Sequence, residues 1–358
     1  MSERCAPGNA PASGAMPRDA LEVRDAGART GRNDCQGRHC KARSNRRHLP
    51  PKKRETGNPD PALIEPGTPR YTTRMKFKPL GRTGVQVSEL CFGTMSFGGD
   101  ADEATSAAMY TACRDAGINF FDCADQYNKG RSEEILGGLM QGHRDDLVIT
   151  SKCFNATSDD INARGASRRH VVRAVEASLK RLQTDRIDVL FLHQYDKRTP
   201  IDESMRALED LVRAGKIVYP AVSNHAAWQV QRAVDIQERN SWARLQVIQP
   251  MYNLVKRQAE VEILPMAEAN GIGVIPYSPG AAGLLSGKYS GQASGRLKSN
   301  KMYEARYGEE WMFEVAHAFA TFCKAKGLNP VATAVAWVGA HPAITAPIIG
   351  ARDRKSVV

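Results

Sequence analysis

Residues Phe121 to Glu134 read FDCADQYNKGRSEE, and the rest of the chain is organised around them. An apolar pair, Phe120 and Phe121, runs into Asp122, and Tyr127 follows five positions later in a polar loop that contains Gly130. Ser132 then stands where a helix N-cap belongs, ahead of Ile135 and Leu136. A strand that ends in a carboxylate and feeds a phenol-bearing loop delivers both groups to one end of a sheet. Two later apolar runs end in the same manner, LVITSK in Lys152 and IDVLFLH in His193.

Working outward, MKFKPL and VQVSEL flank GRTG as an N-terminal hairpin. Eight strand-like runs follow: LCFGTM, NFFDCA, LVITSK, IDVLFLH, IVYPAVSN, LQVIQPMYN, GVIPYS and ITAPIIG. Helical periods separate them over 104–116, 132–140, 167–183, 202–214, 226–239, 257–270, 310–326 and 330–339. The clearest is 167–183, where Ser167 caps a stripe of Val171, Val175, Leu179 and Leu182 with Arg and Lys opposite. No strand reads as an edge, so the alternation predicts an α/β fold closed into a (β/α)8 TIM barrel, not an open sheet. NGIGVIP imitates half of a dinucleotide fingerprint, but Pro276 stands where the third glycine belongs and a strand follows.

The basic excess is uneven. Residues 1–74 carry 15 Lys+Arg against 8 Asp+Glu, and the remainder carries 35 against 31. With one aromatic, Tyr71, and no periodicity, 1–74 reads as a disordered basic extension, followed by a barrel domain over 75–352 and a short tail, 353–358. The PPKKR run lacks interleaved aromatics, so no specific nucleic-acid partner is expected. The eight cysteines, Cys5, Cys35, Cys40, Cys91, Cys113, Cys123, Cys153 and Cys323, form no C-x-x-C pair. Cys35 and Cys40 with His39 lack a second ligand pair, so no metal is expected. Without a membrane-length apolar run or a signal-peptide core, the chain reads as cytoplasmic, with no membrane partner. Oligomeric state is not encoded in any readable feature.

Asp122, Tyr127, Lys152 and His193, at the ends of consecutive strands, resemble the catalytic tetrad of the aldo-keto reductases. Singly, each has a plain reading: turn cap, surface aromatic, strand-end charge, satisfied core histidine. Together at one rim they read as a catalytic set. DCADQYNKGRSE, LHQYD, VSN, QPMYN, YSPGAAGLLSGKY and IIGAR are similar to the family's signatures, in its order, over residues 75–352. The likeness is to its bacterial aryl-alcohol-dehydrogenase-like or potassium-channel-β-like branch. The chemistry is coherent. Reducing a carbonyl builds an alkoxide that needs a proton donor. A phenol with a pKa of about 10 is a poor acid near neutrality, and a buried ammonium beside it lowers that value. Tyr127 is then the acid, Lys152 its tuner, Asp122 the partner of Lys152, and His193 a neutral donor that orients the substrate oxygen.

The resemblance further implies NADP (NADPH) as cofactor and a small carbonyl or alcohol as substrate. By it, Ser223, Asn224 and Gln249 hold the nicotinamide carboxamide and Tyr252 stacks on the ring, while Gly93, Thr94 and Met95 line the cofactor beside the tetrad. Tyr277, Ser278, Pro279, Leu284, Ser286, Lys288 and Arg296 hold the pyrophosphate, and Gly350 with Arg352 meets the 2′-phosphate. Two departures stand out: Gly280 replaces the usual Leu after YSP, and DRKSVV lacks the period of the family's last helix, which is therefore expected to be missing. Two competing readings are a nicotinamide-binding regulatory module, like the potassium-channel β-subunits, and a truncated inactive member.

Overall fold

A computed structural model describes residues 75–289, 297 and 301–353. The expectations for 1–74, including Cys35 and Cys40, for Arg296 and for 354–358 fall outside these residues. Strands β1 (Phe77–Pro79) and β2 (Gln86–Ser88) form the antiparallel hairpin. Eight parallel strands follow: β3 (Cys91–Gly93), β4 (Phe120–Asp122), β5 (Val148–Cys153), β6 (Ile187–Leu192), β7 (Ile217–Ser223), β8 (Val247–Gln249), β9 (Gly273–Val274) and β10 (Ile348–Ile349). Each pairs with the next, and β10 pairs with β3. The ring closes between β9 and β10, where Thr345 N donates to Val274 O and Ile348 N to Pro276 O, each at 2.9 Å. The fold is a (β/α)8 barrel.

Alternation along the strands sorts the side chains. Phe120, Val148, Val189, Phe191, Ala221, Val247 and Ile348 fill the interior, joined by Leu80 and Val87 from the hairpin. Their neighbours Phe121, Ile149, Leu190, Leu192, Val222 and Ile248 face the helices. Each such buried side chain contributes about 1.5–3 kcal/mol. The same period of two turns Asp122 and Lys152 inward and Cys123 and Cys153 outward. Helices α1 (Glu103–Asp115), α2 (Arg131–Leu139), α3 (Arg168–Leu182), α4 (Ile201–Arg213) and α5 (Ala227–Arg239) cover the strands, and α3 starts on the Ser167 cap as predicted. The helix expected over 257–270 is shorter. A 3₁₀ turn, Gln258–Glu260, precedes α6 (Ile263–Asn270), which begins so that Pro265 falls in its first turn, where a missing N–H breaks no bond. No helix among the described residues is long and apolar enough to cross a membrane.

The hairpin plugs the barrel floor. Lys78 Nζ donates to Gly339 O at 3.3 Å and Ile344 O at 3.1 Å, placing a cation at the C-terminal end of helix Pro330–Gly339. Gly81 sits at φ +55°, and a Cβ there would lie 2.8 Å from both Gln246 O and Gly273 N. Backbone atoms of the barrel floor cannot retreat as a side chain can. Gly81→Ala is therefore expected to cost about 1–3 kcal/mol and to lower the melting temperature by several degrees. An unchanged midpoint in thermal unfolding would show that the hairpin does not press on the floor.

Candidate active site

Parallel pairing sets Asp122 beside Thr150, and Lys152 lies two residues further along the same face of β5. Lys152 Nζ donates to Asp122 Oδ2 at 2.6 Å, Cys123 O at 2.7 Å and the Tyr127 hydroxyl at 3.2 Å, which uses all three ammonium protons. Asp122 Oδ1 accepts from Thr150 Oγ1 at 2.7 Å and Gln249 Nε2 at 2.9 Å. Tyr127 opens a tight turn in which Asn128, Lys129 and Gly130 have φ of 49°, 57° and 90°. Asn128, a residue that tolerates the left-handed region, anchors the turn through donations to Met95 O and Phe97 O at 3.0 and 2.7 Å. His193 follows β6, and its ring meets the Tyr127 ring edge-on at 6.2 Å. Gln126 Nε2 lies 3.4 Å from His193 Nδ1, a contact that suits a ring carrying its proton on Nε2.

Electrostatics follow from burial. Burial alone favours discharge of Lys152, but the Asp122 carboxylate and Tyr127 outweigh it and hold the ammonium well above its ordinary range. Burial and the nearby Lys152 charge push His193 down to about 3, so its imidazole is neutral. Tyr127 departs from expectation. Lys152 does pull its pKa down, but desolvation is the larger effect and the phenol is pushed up to about 12. The phenol is thus a protonated donor throughout the neutral range.

Beyond the tetrad, Ser223 Oγ donates to Gln249 O at 2.8 Å, and Asn224, at φ 57°, donates to His193 O at 2.9 Å while accepting from the Tyr277 hydroxyl at 2.8 Å. These four residues therefore form one network with the tetrad. Met95 is open at the rim, at 40% exposure. Three further expected residues have their side chains engaged within the protein. The Tyr252 ring packs against Trp337 at 5.3 Å and His341 at 5.9 Å, with its hydroxyl on Glu260. Thr94 is fully buried, hydrogen-bonded to Asp122 O and Ser132. The Leu284 side chain packs into a separate cluster with Leu285 and Tyr289. Pro279 is also buried, whereas Ser278, at φ 59°, and Ser286 line the loop. Lys288 lies over that loop. A methyl on Gly283 would fall 3.3 Å from its Nζ. Gly93 lets β3 approach β10, since a Cβ there would fall 2.9 Å from Ile348 Cγ2, and Gly350 closes β10 beside Arg352, whose Nε reaches Asp100 at 2.9 Å.

Sequence reading missed a buried acidic pair behind Tyr127. Glu133 accepts from Ser151 Oγ at 2.5 Å and Arg181 Nε at 2.7 Å. Asp125, only 2% exposed, has no well-formed hydrogen bond on either oxygen among the described residues. Its position in FDCADQY, inside a run of buried residues, was the available signal. Burial, reinforced by Glu133, raises the Asp125 pKa to about 7. That exceeds the ordinary carboxylate value of about 3.9, so between the two values the folded chain keeps a proton that the unfolded chain has lost. Stability therefore falls as pH rises from about 4 to about 7, at about 1.4 kcal/mol per pKa unit. Asp125→Asn is expected to raise the melting temperature at pH 8 and leave it little changed at pH 4, with an intermediate gain between them. An equal shift at both pH values would remove this assignment.

The site and the barrel can be set beside known proteins. A model of the aldo/keto reductase family matches residues 89–357. Uncharacterized oxidoreductase YrpG of Bacillus subtilis is 40% identical over 289 residues, covering 78% of this chain and 87% of its own length. A probable voltage-gated potassium channel subunit beta of Oryza sativa subsp. japonica is 35% identical over 301 residues, covering 79% and 89%. Versiconal hemiacetal acetate reductase of Aspergillus parasiticus is 31% identical over 313 residues, covering 79% and 90%. With its (β/α)8 barrel and this match over most of its length, the chain belongs to the aldo/keto reductase family of oxidoreductases.

Proposed function

We propose that this protein catalyses the reversible, NADPH-dependent reduction of an aldehyde or ketone to the alcohol, with Tyr127 as proton donor. The observation that carries the reading is the Tyr127 hydroxyl held 3.2 Å from a Lys152 ammonium that Asp122 fixes in turn. Bound nicotinamide would supply the hydride. Tyr127 gives its phenolic proton to the substrate oxygen, and Lys152 stabilises the phenolate left behind. Neutral His193 offers its Nε2–H to the same oxygen and so fixes the carbonyl's orientation. The residues fit the dinucleotide. Ser278, Ala281, Ala282 and Gly283 all have positive φ, and a side chain at Gly283 would fill the space beneath the Lys288 ammonium. Backbone N–H groups and a cation in such a cradle suit a diphosphate.

The test is NADPH oxidation against a panel of aldehydes, ketones and quinones, alongside fluorescence titration of the cofactor. Turnover of at least one carbonyl with matching NADPH loss is expected; binding without any turnover would favour a nicotinamide-binding module without catalysis, the alternative that the channel-subunit name of the rice relative brings to mind. The continuous chain from Asp122 through Lys152 to Tyr127 favours turnover, since a purely binding module needs no proton donor. A cytoplasmic setting agrees with five free, buried thiols at Cys91, Cys113, Cys123, Cys153 and Cys323.

Arg352 carries the preference for NADPH. Arg352→Ala is expected to weaken NADPH binding roughly tenfold, the low end for a hydrogen bond to a charged group, and to leave NADH binding unchanged. Equal losses for the two dinucleotides, measured as dissociation constants, would remove Arg352 from this role.

A further inference from the structure

Helix Lys301–Tyr307 belongs to the long connection between β9 and β10, and it is fastened down by two of its own tyrosines. Tyr303 and Tyr307 are buried with Leu284, Leu285 and Tyr289. The Tyr307 hydroxyl accepts from Asn253 Nδ2 at 3.1 Å, and the same amide group donates to Ser278 O at 2.9 Å. The helix is therefore tied to the loop that opens at Tyr277. Arg306, beside the Tyr307 anchor, sets its guanidinium carbon 5.8 Å from the centre of the Tyr277 ring. Tyr277 is itself fixed by its hydroxyl on Asn224 Oδ1 at 2.8 Å. Among the described residues, no carboxylate pairs with Arg306 or Lys288.

Among the described residues, two cations without a carboxylate partner thus flank one loop, Arg306 at Tyr277 where it opens and Lys288 beside Gly283. A guanidinium stacked on an aromatic face has lost part of its rotamer freedom while keeping its planar fork of N–H donors for an incoming anion. Bidentate recognition of phosphate oxygens is what that fork does best. We propose that Arg306 is a further cation of the diphosphate site, pre-aimed by Tyr277 and acting with Lys288. The inference rests on the dinucleotide reading above. Because the diphosphate is common to both nicotinamide dinucleotides, Arg306 holds either one, whereas Arg352 tells them apart.

The test measures dissociation constants of the full chain for NADPH, NADH, ADP and adenosine by fluorescence quenching and calorimetry, on wild type, Arg306→Ala and Arg306→Lys. Arg306→Ala is expected to weaken NADPH, NADH and ADP by about tenfold each while sparing adenosine. Arg306→Lys should recover part of the loss, since it restores the charge and not the stacked fork. Affinities within twofold of wild type for all ligands would overturn the proposal. So would a loss confined to NADPH, which would move Arg306 to the 2′-phosphate. A loss that includes adenosine together with a lower melting temperature would make it a prop for the helix, and would overturn it too. If the wild type binds neither dinucleotide, the dinucleotide reading itself falls, a result distinct from the other three.

Discussion

Tyr127→Phe loses carbonyl reduction by a factor on the order of 100 or more while binding NADPH with nearly wild-type affinity. The phenol is the one group at the site that is both protonated near neutrality and held against a charged ammonium. Removing a single oxygen takes away the donor and leaves the ring in place against His193. Because burial raises the Tyr127 pKa to about 12, the wild-type reduction rate should stay level across neutral pH and decline only in alkali, as the donor form is lost. His193, with its pKa near 3, adds no step between pH 5 and 8. Steady-state kinetics beside cofactor titration decides the matter. Near-normal turnover in the phenylalanine variant would dismiss the tetrad.

Lys152→Met should be the more damaging change, since it removes activity and stability together. The ammonium is fully buried, and each of its three protons has an acceptor. With Met in its place, Tyr127 loses the charge that pulls its pKa down, and Asp122 becomes a buried carboxylate without a counter-ion. Breaking a buried pair on one side costs about 3–5 kcal/mol, and the rate should fall at least as far as in Tyr127→Phe. The double variant Lys152→Met with Asp122→Asn separates the two effects. It should regain much of the melting temperature and none of the turnover. Should the single variant melt like wild type, the ion pair is not what holds this corner of the barrel together.

The grouping of Asp122, Tyr127, Lys152 and His193 was legible because strand alternation is strict where β4, β5 and β6 end. Asp122 has the parity of Phe120, and Lys152 that of Val148, so all four side chains turn inward. The same rule sent Cys123 and Cys153 to the helices. Past the end of β8 the rule lapses: Gln249 points inward to Asp122, and Tyr252, three residues on across Pro250, packs against Trp337. The Thr94 side chain lay beyond alternation for a different reason. Its hydroxyl could have faced a ligand or the protein, and only Ser132, 38 residues on, decided for the protein. Arg306 was out of reach of any local pattern, since its place depends on Tyr307 meeting Asn253, 54 residues away.

The seam of the ring divides the barrel into a stiff arc and a soft one. Strands β5, β6 and β7 run for six, six and seven residues, whereas β9 and β10 have two residues each and meet through isolated bonds. Amide protons on such a seam exchange with solvent through small local openings, while those of the long strands wait for far larger ones. Lys152 and His193 stand on the stiff arc, and Asp122 on β4 is hydrogen-bonded to it through Thr150 and Lys152. The loops proposed above to hold phosphate leave from the soft one, so on that reading the barrel opens most readily on the side where a dinucleotide would enter and leave, away from Tyr127 and Lys152.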